Sequence, residues 1–226
     1  MLFQPVLYPA GMIDTKKLIK ADFHVHTSCS RRVTASEEEM YAIAKAKGLD
    51  KIAVTDHNTL KGALSLAEKD PDFVIVGEEI TWDAPGEIIG LFLKEAIPEG
   101  KNAAYTLDAL HEQNAFIFIP HPFAPFHFFC PPEYILKIAD RIDAVEIRNG
   151  RNFHLLNTCA AAFSSFSKLR GICGSDAHLQ KDVGKAGMLL PDFSNADELR
   201  SSLQAAKPFG RGQSIISSMK LIKKVF

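Results

Sequence analysis

Asp22-Phe23-His24-Val25-His26-Thr27 decides how this chain is read. It stands where a short apolar run ends, and its two histidines are two residues apart. On a β-strand such residues point to the same face, so His24 and His26 aim two imidazoles at one place. Ser175-Asp176-Ala177-His178 repeats the arrangement near the other end of the chain. Imidazole together with carboxylate is a ligand set for zinc, manganese or iron, whereas calcium takes oxygen alone.

Outward from this stretch, strand-like runs alternate with helix signals. Strands are expected over 20–24, 51–55, 73–76, 88–93, 116–119, 144–147 and 171–174, with 187–190 as an eighth. Several are continuously apolar, the pattern of parallel strands covered on both faces. Ser36 and Glu39 form a capping box ahead of an apolar stripe at Met40, Ile43 and Ala44, and Gly48 is placed to end that helix. Further helices are expected over 60–69, 103–114, 132–139, 153–168 and 196–205. Repeated strand-then-helix units predict an α/β fold with a parallel sheet. A closed ring is favoured, because polar clusters at six or more strand ends converge only in a barrel.

Those clusters follow the strands in order. The second strand ends in Thr55-Asp56-His57-Asn58, the third in Gly77-Glu78-Glu79, and the fourth begins at Gly86-Glu87. The fifth ends in Pro120-His121-Pro122, the sixth in Glu146-Ile147-Arg148-Asn149 and the seventh in Ser175-Asp176-Ala177-His178. One polar strand end means little; this succession implies a site assembled from the whole chain.

The bulk properties bound the rest. At 226 residues, 46% hydrophobic and 23% charged, the chain suits one domain over 1–226. The motifs occupy about 20–190, leaving 1–19 and 207–226 as peripheral extensions; 214–226 mixes Ile, Met, Leu and Lys and suits a closing strand or helix. A net charge of −1 argues against an extended nucleic-acid surface, though not against a nucleotide-sized substrate. No apolar run reaches the roughly 18 residues of a membrane span, so no membrane partner is expected. Cys29, Cys130, Cys159 and Cys173 are scattered without a C-x-x-C, the usage of a reducing compartment, and no basic-then-apolar leader opens the chain. A cytoplasmic protein is therefore expected. Oligomeric state is left open.

With its clusters in this order, the chain resembles the polymerase and histidinol phosphatase (PHP) family. That family's motifs D-x-H-x-H-T, T-D-H, G-x-E, H-P and S-D-x-H match 22–27, 55–57, 77–79, 121–122 and 175–178. The resemblance implies a distorted (β/α)7 barrel of the PHP type holding two or three divalent ions, zinc, manganese or iron. It implies one metal on His24, His26, Glu79 and Asp176, with Glu79 bridging to a second that also uses His121. His57 and His178 would serve a third position. Glu78 should point away, because neighbours on a strand face opposite sides.

Two departures stand out. Arg31 and Arg32 occupy the region where the family carries an Asp or His ligand, and a guanidinium offers only donors. Either the His57/His178 position is weak or empty, or an arginine there grips substrate phosphate. Glu87 stands where many relatives have a histidine; as a carboxylate it ligates too, and suits manganese or iron.

The implied activity is metal-dependent hydrolysis of a small phosphate ester by a metal-activated hydroxide. His57, His178 and Asp176 are the candidate catalytic residues, with His57 or His178 supplying the leaving group's proton. Arg31, Arg32, Arg148 and Arg151 are the candidate substrate contacts, since forked donors match phosphate. Asp56 either orients His57 or is structural. His111, His127 and His154 read as ordinary histidines, and 123–129 as either a packed hydrophobic loop or a wall of the site. Two rivals remain: a metal-dependent C–N hydrolase of amidohydrolase type, and a non-catalytic metal-binding or regulatory PHP module.

Overall fold

In a computed structural model, which describes residues 17–31, 33–125 and 128–210, the chain alternates strands and helices. The order is β1 (Leu18–Val25), α1 (Glu37–Ala46), β2 (Lys51–Val54), α2 (Lys61–Lys69), β3 (Val74–Ile80), β4 (Ile88–Leu91), α3 (Ala103–Glu112) and β5 (Phe116–Ile119). There follow α4 (Pro132–Lys137), a 3-10 turn (Ala139–Arg141), β6 (Ala144–Asn149), α5 (His154–Ser167), β7 (Arg170–Gly174), β8 (Ala186–Pro191), α6 (Ala196–Ser202) and β9 (Lys207–Gly210). Arg32, His127 and the tail 214–226 lie outside the described residues, as do residues 1–16.

The strands form one sheet in the order β7-β6-β5-β4-β3-β2-β1-β8-β9. The expectation of a parallel sheet holds for β1/β2, β2/β3, β5/β6 and β6/β7. It fails for β3/β4, β4/β5, β1/β8 and β8/β9, which are antiparallel. Only residues 81–87 separate β3 from β4, too few for the crossover that a parallel neighbour needs. Because β4 returns antiparallel, its first residue, not its last, lies at the end where β3 finishes. Glu87, just ahead of β4, is thereby brought to the same end of the sheet as Glu79, which itself pairs with Ile89.

The ring nearly closes through the loop after β7. Asp176 N–H donates to the His24 carbonyl (2.7 Å) and His26 N–H donates to the Ala177 carbonyl (3.0 Å), bridging Val25 and Ala177. Gly174 permits this approach: a Cβ there would stand 2.3 Å from the His24 Cβ and 2.7 Å from its backbone nitrogen.

One apolar cluster draws on β1 through β8, including Phe23, Ala53, Ile75, Ile89, Phe118, Ala144 and Ile172. Ile75 and Glu79, or Ala144 and Glu146, share a strand face by the period of two. The barrel interior is thus a hydrophobic floor beneath a polar mouth. A register shift in β1 between Asp22 and Val25 marks the change from floor to histidines. Two further clusters lie where helices cover the strands, for example Met40 and Ala44 of α1 against Ile52 and Val54.

α1 has its capping box: Glu39 N–H donates to Ser36 Oγ (3.3 Å) and Ser36 N–H to Glu39 Oε2 (2.7 Å). Gly48, at φ 70°, follows its C-cap. Among the described residues no helix is long and apolar enough to cross a membrane.

Candidate metal centre

The eight residues expected to ligate metal converge at the barrel mouth. His24 Nε2 and His26 Nε2 lie 3.0 Å apart. Both face Glu79 Oε2, at 3.3 and 3.2 Å, and Asp176 Oδ1, at 3.8 and 3.4 Å. Glu79 Oε2 is also 3.2 Å from His57 Nδ1, while Glu79 Oε1 is 3.0 Å from His121 Nε2. Glu87 Oε1 lies 3.5 Å from His57 Nδ1. Ligand-type atoms fall into four overlapping triads, each within 4.8 Å: His24/His26/Asp176, His24/Glu79/His121, His57/Glu79/Glu87 and His26/His57/His178.

Backbone strain sits where the side chains are aimed. His121 (φ 28°) and Asp176 (φ 52°) occupy the left-handed region, which disfavours residues bearing a Cβ by roughly 1–3 kcal/mol. His57 reaches Glu79 because β2's line continues alongside β3: Glu79 N–H donates to the Asp56 carbonyl and Asn58 N–H to the Glu79 carbonyl. Glu78 points the other way, as alternation requires, and its Oε2 accepts from Ile97 N–H (2.8 Å).

A buried polar layer holds these ligands. Asp56 accepts from Thr27 N–H (2.7 Å), Thr27 Oγ1 (2.6 Å) and Ser30 Oγ (2.7 Å). Its role is therefore to fix the 27–30 loop. Ser30 Oγ in turn accepts from His57 N–H (3.0 Å) and lies 3.2 Å from His26 Nδ1, so Asp56 acts on His57 through Ser30. Asp22 accepts from Ser175 N–H (2.8 Å) and Gly184 N–H (2.9 Å), tying β1 to the segments flanking the last ligands. Glu146 Oε1 lies 3.3 Å from His24 Nδ1, and its Oε2 accepts from His121 N–H (2.8 Å) and Asn149 Nδ2 (2.9 Å). Asn149 Nδ2 also donates to Asp176 Oδ2 (3.2 Å). No role for Glu146 or Ser30 is legible in the motifs; the one hint for Glu146 is a carboxylate inside an apolar strand.

Charge is partitioned sharply. Burial pushes His24 down, but Glu79, Asp176 and Glu146 more than reverse it and hold its pKa well above the ordinary value. Burial likewise opposes charge on His121, yet Glu79 lifts it to about 9. Burial works to raise Glu79 and Asp176, and the neighbouring imidazoles, His24 foremost, hold both well below the carboxylate range. Burial, then Glu79, pushes Glu87 up to about 8, and burial pushes His57 down to about 4.

The donor set fits divalent cations. Among the described residues, two atoms of this cluster, His121 Nδ1 and Glu87 Oε2, are buried with no hydrogen-bond partner. Two imidazole nitrogens face each other at 3.0 Å, a pair that a shared cation satisfies better than a proton. Such a cation would also ionise Glu87 and leave His57, already neutral, free to coordinate.

The mouth opens into a cleft of about 970 Å³, lined beyond the ligands by Arg31, Arg151, Asn58, Thr81, Glu99, Phe128 and Leu179, among others. Arg151 Nη1 lies 2.8 and 3.0 Å from the His178 ring nitrogens and 3.4 Å from Asp176 Oδ1. Arg148 is not brought here. The β6 register shifts between Glu146 and Arg148, which breaks the alternation, and Arg148 Nη1 donates to the Gly210 carbonyl (2.9 Å). His111 and His154 lie on helices away from the cluster; His111 Nε2 sits 2.9 Å from the Arg141 carbonyl.

Comparison with known proteins agrees with this geometry. The chain matches the PHP domain over residues 22–117 and the PHP-associated family over residues 154–208. It is 38% identical over 120 residues to an uncharacterised protein of Methanocaldococcus jannaschii, covering 47% of this chain and 70% of the relative. A two-domain protein from Bacteroides vulgatus, containing a predicted PHP-like metal-dependent phosphoesterase, superposes with a TM-score of 0.70. The identity is 23%, over 88% of this chain and 66% of that one. Endonuclease Q, in complex with a 27-mer duplex bearing an abasic lesion at its active site, gives a TM-score of 0.65 at 15% identity. That match covers 86% of this chain and 60% of the endonuclease. At such identities the likeness is one of fold, a barrel-like mixed sheet. The chain belongs to the PHP family.

Proposed function

We propose that this protein is a metal-dependent phosphoesterase acting on a small phosphate ester. The observation that carries the reading is Glu79: one oxygen serves His24, His26 and His57 while the other serves His121. A carboxylate so shared suits two adjacent cations, the arrangement that clamps attacking and leaving oxygens of a phosphoryl group. His24, His26, Asp176 and Glu79 would hold one ion, Glu79, His121 and Glu87 a second, and His57 with His178 a third. Zinc, manganese or iron all suit these donors, and the carboxylate of Glu87 favours the latter two. Ions bound there would supply Lewis acidity and an acidified water.

The chain's own residues do the remainder. Arg31 and Arg151, on the cleft wall, grip phosphate oxygens with forked donors; Arg32 is adjacent in sequence and shares the assignment. Burial keeps His57 neutral at pH 7, which suits a ligand and not an acid. Where no third ion takes it up, His178 is assigned the proton for the leaving alkoxide, with Asp176 Oδ1, 3.3 Å from its Nδ1, fixing the ring. Phe128 and Leu179 give the cleft an apolar side.

The test combines metal analysis of the purified protein with a panel of phosphomonoesters, phosphodiesters, C–N substrates and an abasic DNA duplex. Two or three ions per chain and turnover of small phosphate esters are expected. Turnover of C–N substrates alone would establish the amidohydrolase-type rival, and one ion or none without turnover would establish the non-catalytic module.

A further inference from the structure

We propose that α5 is a self-association helix that pairs antiparallel with α5 of a second copy. One side of α5 is committed to the barrel, with Asn157, Ala160 and Phe163 buried. The other side carries Leu155, Cys159, Ala162 and Phe166, all exposed, Leu155 at 67% and Phe166 at 77%. Their spacing of four, three and four residues makes a single stripe along the helix, the seam spacing of paired helices. A continuous apolar face of this kind on a helix otherwise docked marks an interaction surface.

Three features select a second copy as its occupant. The stripe reads large, small, small, large from either end, so it is complementary to itself under a two-fold axis between Cys159 and Ala162. In that pairing Leu155 meets Phe166 of the partner subunit, and Cys159 meets Ala162 of the partner subunit. Small residues at the crossing allow the helix axes to approach to about 8 Å, and the large ends interlock. Second, no Asp, Glu, Lys or Arg lies between His154 and Ser167, so pairing buries no fixed charge and opposes none. Antiparallel alignment also sets the two helix dipoles head to tail. Third, a seam one helix wide buries on the order of 1,000 Å² in total, the low end of specific interfaces, so the dimer is concentration-dependent. The stripe faces away from the barrel, and the inference does not depend on the proposed activity.

Sedimentation equilibrium on the full, metal-loaded chain tests this. The expected result is a monomer of 24.9 kDa passing to a dimer with a midpoint on the order of 10 µM. Phe166→Glu and Leu155→Glu should each shift that midpoint at least tenfold, with circular dichroism and metal content unchanged. Ala162→Cys, mildly oxidised beside the native Cys159, should give a disulfide-linked dimer on a non-reducing gel; Ser165→Cys, off the stripe, should not. A monomer at every concentration, or equal cross-linking in the Ser165→Cys control, overturns the proposal. So does a link that forms within one chain.

Discussion

Glu146 stands directly behind His24, with its Oε1 3.3 Å from His24 Nδ1 and both side chains fully buried. The contact leaves His24 Nε2 directed at Glu79 and Asp176. Such a carboxylate behind a ligating imidazole typically accounts for 10–100-fold in metal affinity. Glu146→Ala is expected to weaken metal binding by about that factor. Glu146→Gln should also fail, because its NH2 must meet either His24 or the two N–H donors from His121 and Asn149. Competition with a chelator of known affinity measures both variants; wild-type affinity in each would remove Glu146 from the site.

Metal binding should be tied to pH through His121. Burial opposes its charge, but Glu79 raises its pKa from 6.5 to about 9. In the metal-free protein its ion pair with Glu79 therefore contributes fully below about pH 6.5 and fades as pH rises through about 9. A metal requires the neutral ring, so affinity should climb over that same interval, and binding at pH 7 should release protons. Glu87, at about 8, adds to the release. Calorimetry in buffers of different ionisation enthalpy counts the protons; none released at pH 7 contradicts the ligand assignment.

Asp56 holds Thr27 and Ser30 through three short hydrogen bonds. Asp56→Ala strands those buried donors, at a cost of about 3 kcal/mol. For a domain of this length that corresponds to a fall in Tm of roughly 6–12 °C. Thermal unfolding of the metal-free protein separates this loss from any change in metal affinity.

Gly174→Ala should be a severely damaging small substitution. The added carbon would stand 2.7 Å from the backbone nitrogen of His24, so relief requires parting β7 from β1 where the ring closes. Loss of stability of about 3 kcal/mol or more is expected, with loss of bound metal. A protein that keeps both its Tm and its metal would show that the closure is looser than these distances imply.

Arg151→Met should raise KM for phosphate esters roughly tenfold while leaving metal content unchanged, as loss of a binding contact does. Arg148→Met should leave KM unchanged, since its guanidinium is spent on the Gly210 carbonyl. Steady-state kinetics with metal analysis decides between the two arginines.

Much of this was legible in the sequence because strands write their orientation in steps of two. The pairing of His24 with His26 and the opposition of Glu78 and Glu79 follow from alternation, the choice of Glu79 came from the resemblance to the family's G-x-E motif, and the Ser36/Glu39 box marked the start of α1. Where alternation breaks, reading from sequence breaks with it: the β6 register shift turns Arg148 away. The antiparallel return of β4 was likewise hidden, since an apolar run reads the same in either direction. Asp56 was ambiguous because its partners, Thr27 and Ser30, lie across a strand pair.

The sequence by itself determined which residues have ligand chemistry and that they stand at strand ends in a fixed order, because residue type and short-range spacing are local. Only the tertiary structure decided that Glu79 divides its oxygens between two sets of histidines, that Glu146 braces His24, and that Arg151 but not Arg148 reaches the cleft. Those relationships depend on distances between residues far apart in the chain, set by ring closure, strand direction and bulges. His24 and Asp176 became neighbours because Gly174 lets two backbones touch.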